Sequence, residues 1–169
     1  MPIHTPLQFA FLVHPLVKWH RRILGVRLLN LPLMLGSHKV GIDGVNIIGH
    51  IHVPTTQGTV KGVIIAVPDT AKRLAENQQR AAALQMRAAE IAEDKGARAI
   101  GLGNALAVVA GRGSHLSKNT NTPITTGDAC TAWTCARIVE LAIIRHKLEQ
   151  CPIGILGFNG TVGDAIAAY

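Results

Sequence analysis

Aromatic residues are scarce in this sequence: three Phe, two Trp and one Tyr make up 4% of its 169 residues. A core built mainly on large aromatic side chains is therefore excluded. Hydrophobic residues nevertheless reach 48%, and most are Ala, Val, Ile and Leu, which is enough to bury a core in a chain of this length. Together with 17 glycines, this balance is typical of α/β proteins whose sheets are covered on both faces.

Cysteine is also rare. The three cysteines, Cys130, Cys135 and Cys151, are odd in number and lack the spacing of a metal site. No secretory signal precedes them, which predicts reduced thiols and a cytoplasmic location. Cys130 and Cys135 fall in a predicted helix, where we expect them to pack as small apolar groups.

Long hydrophobic runs are missing. An apolar run at residues 9–13 is stopped by His14-Pro15, and the apolar residues 23–36 are interrupted by Arg27 and Pro32. Neither run reaches the roughly 20 residues that a membrane span needs. We therefore expect no transmembrane segment, while peripheral contact with a membrane surface stays open.

Acidic residues are few relative to basic ones, 10 against 17, which gives a net charge of +7. A basic surface attracts acidic partners in general. The Lys and Arg residues are scattered, no aromatic residues alternate with them, and no nucleic-acid motif is present. The sequence therefore predicts no nucleic-acid partner, and a phosphorylated cofactor or an acidic carrier protein accounts for the charge instead.

Short apolar strands alternate with helices along the chain, which predicts an α/β fold. Strands are predicted at residues 8–13, 45–53, 60–67, 97–102, 123–126 and 152–156, with 55–58 as a hairpin turn; helices are predicted at 16–35, 70–94, 104–110, 128–149 and from 161 onward. Residues 111–122 are expected to form a polar loop.

The predicted helix at residues 70–94 has clear ends. Asp69 or Thr70 is a suitable N-cap, and Lys95-Gly96 a suitable stop. Its apolar residues form one stripe: Leu74, Ala81, Leu84, Ala88 and Ile91. Glu76 and Arg80 are spaced i, i+4, which predicts an ion pair on its surface.

A glycine-rich turn follows the last predicted strand. Gly157, Gly160 and Gly163 are spaced three apart and lead into a helix-compatible segment. In dinucleotide-binding domains the first glycine allows a tight turn, the second lets a pyrophosphate approach the backbone, and the third lets the helix pack closely. The turn predicts cofactor binding by Gly157, Asn159, Gly160, Thr161, Val162 and Gly163. The alternative is a strand-to-helix turn that holds no ligand.

Other polar segments carry candidate sites. Thr125, Thr126, Gly127 and Asp128 stand between a strand and a helix, where amides and hydroxyls meet a ligand or simply cap the helix. His50 and His52 project from one strand face, but no third ligand is evident and no metal site is predicted. The basic loop at 111–118 is expected to be solvated, with an anion contact as the alternative.

Three segments resemble, in order and spacing, the long-chain acyl-(acyl-carrier-protein) reductases of the cyanobacterial type, which form fatty aldehydes. They are Ala99-Ile100-Gly101-Leu102-Gly103, Thr125-Thr126-Gly127-Asp128-Ala129-Cys130-Thr131-Ala132-Trp133 and Gly157-Phe158-Asn159-Gly160-Thr161-Val162-Gly163. The resemblance spans residues 79–168. Asp128 replaces the family's Asn, and Phe158-Asn159 replaces its Ala-Thr.

The resemblance implies an N-terminal substrate domain at residues 1–150 and the start of a Rossmann domain at 151–169. It implies transfer of an acyl group from carrier protein or coenzyme A to an enzyme cysteine, then reduction by NADP(H), with NAD not excluded. That cysteine is expected beyond Tyr169, and Thr125, Thr126, Gly127 and Asp128 near the active site. The residue that reads the cofactor ribose, about 20 positions after the turn, also falls beyond the chain. We therefore expect a fragment that is inactive by itself.

Two alternatives stay open. A two-domain dehydrogenase of the shikimate type would act on a small polar substrate, with a polar pocket in place of an apolar tunnel. A non-catalytic module would bind an acyl group or a carrier protein without turnover.

Overall fold

The computed structural model describes residues 7–14 and 44–168. The helices predicted at residues 16–35 lie outside the described residues. The chain forms two compact units, Met1–Thr126 and Gly127–Tyr169. The boundary after residue 150, between a substrate domain and a cofactor domain, stays a prediction.

The first unit contains a mixed five-stranded sheet. Its strands are β1 (Phe9–Val13), β2 (Asn46–Thr55), β3 (Gly58–Ala66), β4 (Ile100–Leu102) and β5 (Ile124–Thr125), in the order β2-β3-β1-β4-β5. β1 runs parallel to β3 and β4, β4 runs parallel to β5, and β2 is antiparallel to β3. The predicted α/β class is confirmed.

Helices follow strands in the first unit, and the elements described in the second unit are helices. The first unit contains α1 (Ala71–Glu76), α2 (Gln78–Asp94), a 3₁₀ helix (Asn104–Ala107) and α3 (Ser114–Asn119); the second contains α4 (Asp128–His146) and α5 (Thr161–Ala167). The α2 helix packs against β1 and β3. The core is therefore a layer of aliphatic side chains between sheet and helix.

The predicted hairpin of β2 and β3 is confirmed. The hydroxyl of Thr55 donates to the carbonyl of Gly58 at 2.7 Å and accepts from the amide of Gln57 at 3.2 Å. The register shifts between Ile47 and Gly49, so a bulge interrupts the alternation expected over residues 45–53.

The two faces of the central strand β1 pack against different partners. Ala10 and Leu12 are fully buried in the core. On the opposite face, the ring of Phe9 lies over Gly62 of β3 and leaves no room for a Cβ there, and Phe11 lies over Gly101 of β4. The scarce aromatic residues therefore fill the space that two glycines leave open.

The single helix predicted at residues 70–94 is wrong, because Asn77 divides it. The amide of Asn77 ends α1 by donating to Arg73 O at 3.1 Å, and its side chain starts α2 by accepting from Arg80 N at 2.9 Å. Asparagine favours such caps because its side chain competes with the helical backbone. The predicted N-cap at Thr70 is confirmed by its bond from Arg73 N at 3.5 Å.

The break also changes the ion pairs. Glu76 pairs with Lys72 at 3.7 Å rather than with Arg80, so the predicted surface pair is wrong. The predicted apolar stripe is confirmed: Leu74, Ala81, Leu84 and Ala88 are buried, and Ile91 is partly buried. Gly96, with a φ of 77°, ends α2 as expected.

The polar loop predicted at residues 111–122 is wrong in its middle, where α3 forms. Leu116 of α3 is fully buried in the core of the first unit. A helix places this side chain inward while its polar neighbours stay exposed. A single leucine among polar residues gives no periodicity, which is why the sequence did not indicate the helix.

Glu93 of α2 holds the segment after α3 against α2. One of its carboxylate oxygens accepts bonds from Asn121 N at 3.0 Å, Thr122 N at 3.1 Å and Thr122 Oγ1 at 3.0 Å. We expect Glu93→Ala to lower the free energy of unfolding by about 1–2 kcal/mol, because the amides lose their shared acceptor. Denaturant titration tests this. Glu93→Gln keeps an acceptor oxygen and should lose less than half as much; equal losses would contradict the assigned role.

In the second unit, α4 ends at His146 because Lys147 adopts a left-handed conformation, with a φ of 54°. Residues 152–155 form no strand in the structure as described, so the predicted last strand is wrong. A short apolar segment becomes a strand only when another strand pairs with it. The segment instead lines an apolar groove of about 480 Å³ with α4 and α5, beside Val139, Ile143 and Ile166.

Candidate functional site

The carboxyl edge of the sheet is the first candidate site. Four strands, β3, β1, β4 and β5, run parallel, so their carboxyl ends share this edge. The order reverses between β1 and β4: the chain adds β3 on one side of β1, then β4 and β5 on the other. Ligands of open α/β sheets bind in the crevice at such a reversal.

Two segments meet at this reversal. His14, which follows β1, is 7% exposed, and its Nε2 accepts a bond from the amide of Ala105 at 3.3 Å. Gly103, which follows β4, donates its amide to Leu12 O at 2.9 Å. A Cβ on Gly103 would lie 2.8 Å from that oxygen, so glycine is needed where the two strand ends approach. His14 thus links the ends of β1 and β4.

The end of β3 carries a buried carboxylate. Asp69 is 3% exposed, and its carboxylate contacts Arg80 Nε at 2.5 Å and Arg73 Nη1 at 3.7 Å. Sequence reasoning treated Asp69 as a helix cap and missed this role. The 11-residue separation from Arg80 crosses the break at Asn77, so no helical spacing indicated the pair.

Two of the predicted active-site residues lie at the same edge. Thr125 ends β5 and Thr126 follows it, on the side where β1 and β4 also end. Gly127 and Asp128 belong to the second unit, at the start of α4. Gly127 itself is the N-cap, with a φ of 79° and no side-chain cap, so capping by Thr126 or Asp128 is wrong. The backbone turn through Gly127 starts the helix instead.

The glycine-rich turn is the candidate cofactor site of the second unit. Gly157 has a φ of 88°, and its carbonyl accepts from the amide of Gly160 at 2.9 Å. A Cβ on Gly163 would overlap this same carbonyl. The first glycine therefore makes the tight turn, and the third packs against the turn rather than against a strand.

The other predicted cofactor residues surround that contact. Asn159 is exposed in the turn, Thr161 is the first residue of α5, and Val162 is half-buried. Since nothing lies within 4 Å of the position of a Cβ on Gly157, the backbone there is open to an approaching group. Such a turn can present its amides to a phosphate.

The histidines and cysteines in the described part of the chain do not form a metal site. His50 and His52 are exposed on β2, and no group of three or more possible metal ligands is found among the described residues. Cys130 and Cys151 are exposed and Cys135 is half-buried. The expected packing of Cys130 is therefore wrong, because it lies on the exposed side of α4.

No family model matches this chain, and no curated protein matches it. In the residues described, no helix is both long enough and apolar enough to cross a membrane.

Proposed function

We propose that this chain is part of an NADP(H)-dependent oxidoreductase that reduces a long-chain acyl thioester to a fatty aldehyde in the cytoplasm. The supporting observation is the closed glycine turn, in which Gly163 packs on the carbonyl of Gly157 at the start of α5. The resemblance of the three ordered segments gives the reaction class. The net charge of +7 suits an acyl carrier protein or acyl coenzyme A as substrate.

In this proposal the turn holds the cofactor pyrophosphate. Gly157, with its left-handed backbone, opens the turn, and Gly160 keeps the backbone accessible before Thr161 begins α5. Asn159 and Val162 flank this surface. The bound dinucleotide supplies the hydride. NAD stays the alternative to NADP.

Thr125, Thr126, Gly127 and Asp128 are proposed to line the acyl site. The two threonines lie at the carboxyl edge of the sheet, where α/β proteins bind substrates. In the family that the three segments resemble, the acyl-accepting cysteine follows the cofactor turn, so the role is given to none of Cys130, Cys135 and Cys151. The residues of this chain would position the thioester and the cofactor.

The Gly163→Val variant tests the cofactor turn. Its side chain would collide with the Gly157 carbonyl, so we expect NADPH affinity to fall by about tenfold or more. Gly154→Val is the matched control, because nothing lies within 4 Å of a Cβ at Gly154. NADPH titration and aldehyde formation from acyl thioesters are measured on the full translated product. Equal affinities in the two variants, or no aldehyde at any chain length, would contradict the proposal.

A non-catalytic acyl-binding or carrier-binding module is the second candidate. The apolar groove of the second unit favours it, since Val139, Ile143, Ile155 and Ile166 offer an aliphatic surface to an acyl chain. The absence of a strand over the described residues 152–155 also leaves the cofactor turn without its usual support. Fatty-acid or carrier-protein binding without NADPH binding would favour this candidate.

A further inference from the structure

The two faces of the sheet in the first unit are covered unequally. The helices described in this unit all contribute side chains to one core with Ala10 and Leu12, on one face of the sheet. On the other face, Phe11 is 39% exposed and Val53 is 41% exposed. The other large side chains of that face are half-buried and apolar: Phe9, Val13, Ile51, Val60 and Ile64. Apolar faces of largely parallel sheets are covered in folded proteins, so this face is expected to have an occupant.

The chain between β1 and β2 leaves and rejoins the sheet at the same edge. Val13, the last residue of β1, and Asn46, the first residue of β2, are both paired with Ala66 of β3. Because neighbouring strands are spaced by a little under 5 Å, these two ends are about 10 Å apart. About three extended residues span that distance. Residues 15–43, which lie outside the described residues, are therefore far more numerous than the connection requires.

The path of the chain after β3 decides on which side of the sheet this connection passes. The chain leaves β3 between the ends of β1 and β2 and turns toward the helix-covered face, since Val67 and Leu74 are buried in that core. Connections at one edge of a sheet do not cross one another. The chain from β1 to β2 must therefore pass the end of β3 on the opposite side, which is the side of the apolar face.

We propose that residues 15–43 of this chain cover the apolar face of the sheet, with the hydrophobic run at residues 23–36 packed over Phe11. The side chains of the run are complementary to an aliphatic and aromatic surface, since six of them are leucine: Leu24, Leu28, Leu29, Leu31, Leu33 and Leu35. The occupant is the chain itself because its path already crosses this face. The run is then taken up by the sheet and is not free to contact a membrane surface. This inference does not depend on the proposed function.

Site-specific photo-crosslinking in the full chain tests the proposal. A photoreactive diazirine side chain is placed at position 11, in the middle of the apolar face. The matched control carries it at position 50, because His50 is exposed on β2 and points to the opposite face, as its partner Val63 does. We expect adducts with residues 15–43 of the same molecule from position 11 and none from position 50. Mixing isotopically labelled and unlabelled chains distinguishes adducts within one molecule from adducts between two.

The opposite outcomes assign the face to another occupant. Adducts from position 11 with residues 127–169, or with a second molecule, would overturn the proposal. Equal yields of adducts with residues 15–43 from positions 11 and 50 would overturn it too, as would the absence of such adducts from position 11.

Two measurements on the unaltered chain need no substitution. Trypsin should cleave after Arg27 at least about tenfold more slowly in the folded chain than in the unfolded chain, because cleavage requires the covering segment to leave the sheet. Vesicles of neutral phosphatidylcholine should not retain the chain, since the hydrophobic run is already packed. Equal cleavage rates, or binding to the vesicles, would contradict the proposal.

Discussion

Replacing Asp69 with alanine is expected to lower the free energy of unfolding by about 2–3 kcal/mol. The variant leaves the Arg80 guanidinium, and the more distant Arg73, without their buried carboxylate partner. The expected loss stays below that of a fully buried pair because Arg80 is 39% exposed. Chemical denaturation followed by circular dichroism measures it.

Glu76→Ala is the matched control for this prediction. Glu76 also pairs with a cation one helical turn away, but it and Lys72 are mostly exposed. Exposed pairs contribute about 0–1 kcal/mol, so the control should be close to the parent protein. Similar losses in Asp69→Ala and Glu76→Ala would mean that burial does not set the strength of the Asp69 interaction.

Leu116→Ala is expected to lower the free energy of unfolding by about 2–4 kcal/mol, because it opens a cavity beneath α3. Leu116 is fully buried, although polar residues surround it in the sequence. Val108→Ala is the control, since Val108 is 66% exposed and should change stability by less than about 0.5 kcal/mol. Equal effects would show that α3 does not pack on the core.

Elements with strong local signals were predictable from sequence. The hairpin at Thr56-Gln57, the stop at Gly96 and the apolar stripe of α2 depend on neighbours within a few residues. The break at Asn77 was not predictable by periodicity, because the apolar stripe continues across it. The prediction of a strand at residues 152–155 was wrong for a different reason. The composition of this segment suits a strand, but a strand also needs a pairing partner from a distant part of the chain.

Some residues of the candidate sites were likewise predictable from the sequence, and others were not. The glycines of the turn at 157–163 were visible because their spacing reflects backbone geometry. The contacts of His14 with Ala105 and of Asp69 with Arg80 join residues that only the folded chain brings together.

The long outer strand β2 bears on self-association. It forms one border of the sheet described here, and an unpaired strand border is a template for fibril-like pairing with other chains. The bulge between Ile47 and Gly49 distorts this border, and Pro54 removes a hydrogen-bond donor. The exposed side chains of His50 and His52 add polar groups to the same strand. We therefore expect the bulge and Pro54 to disfavour pairing of β2 with a strand of another chain.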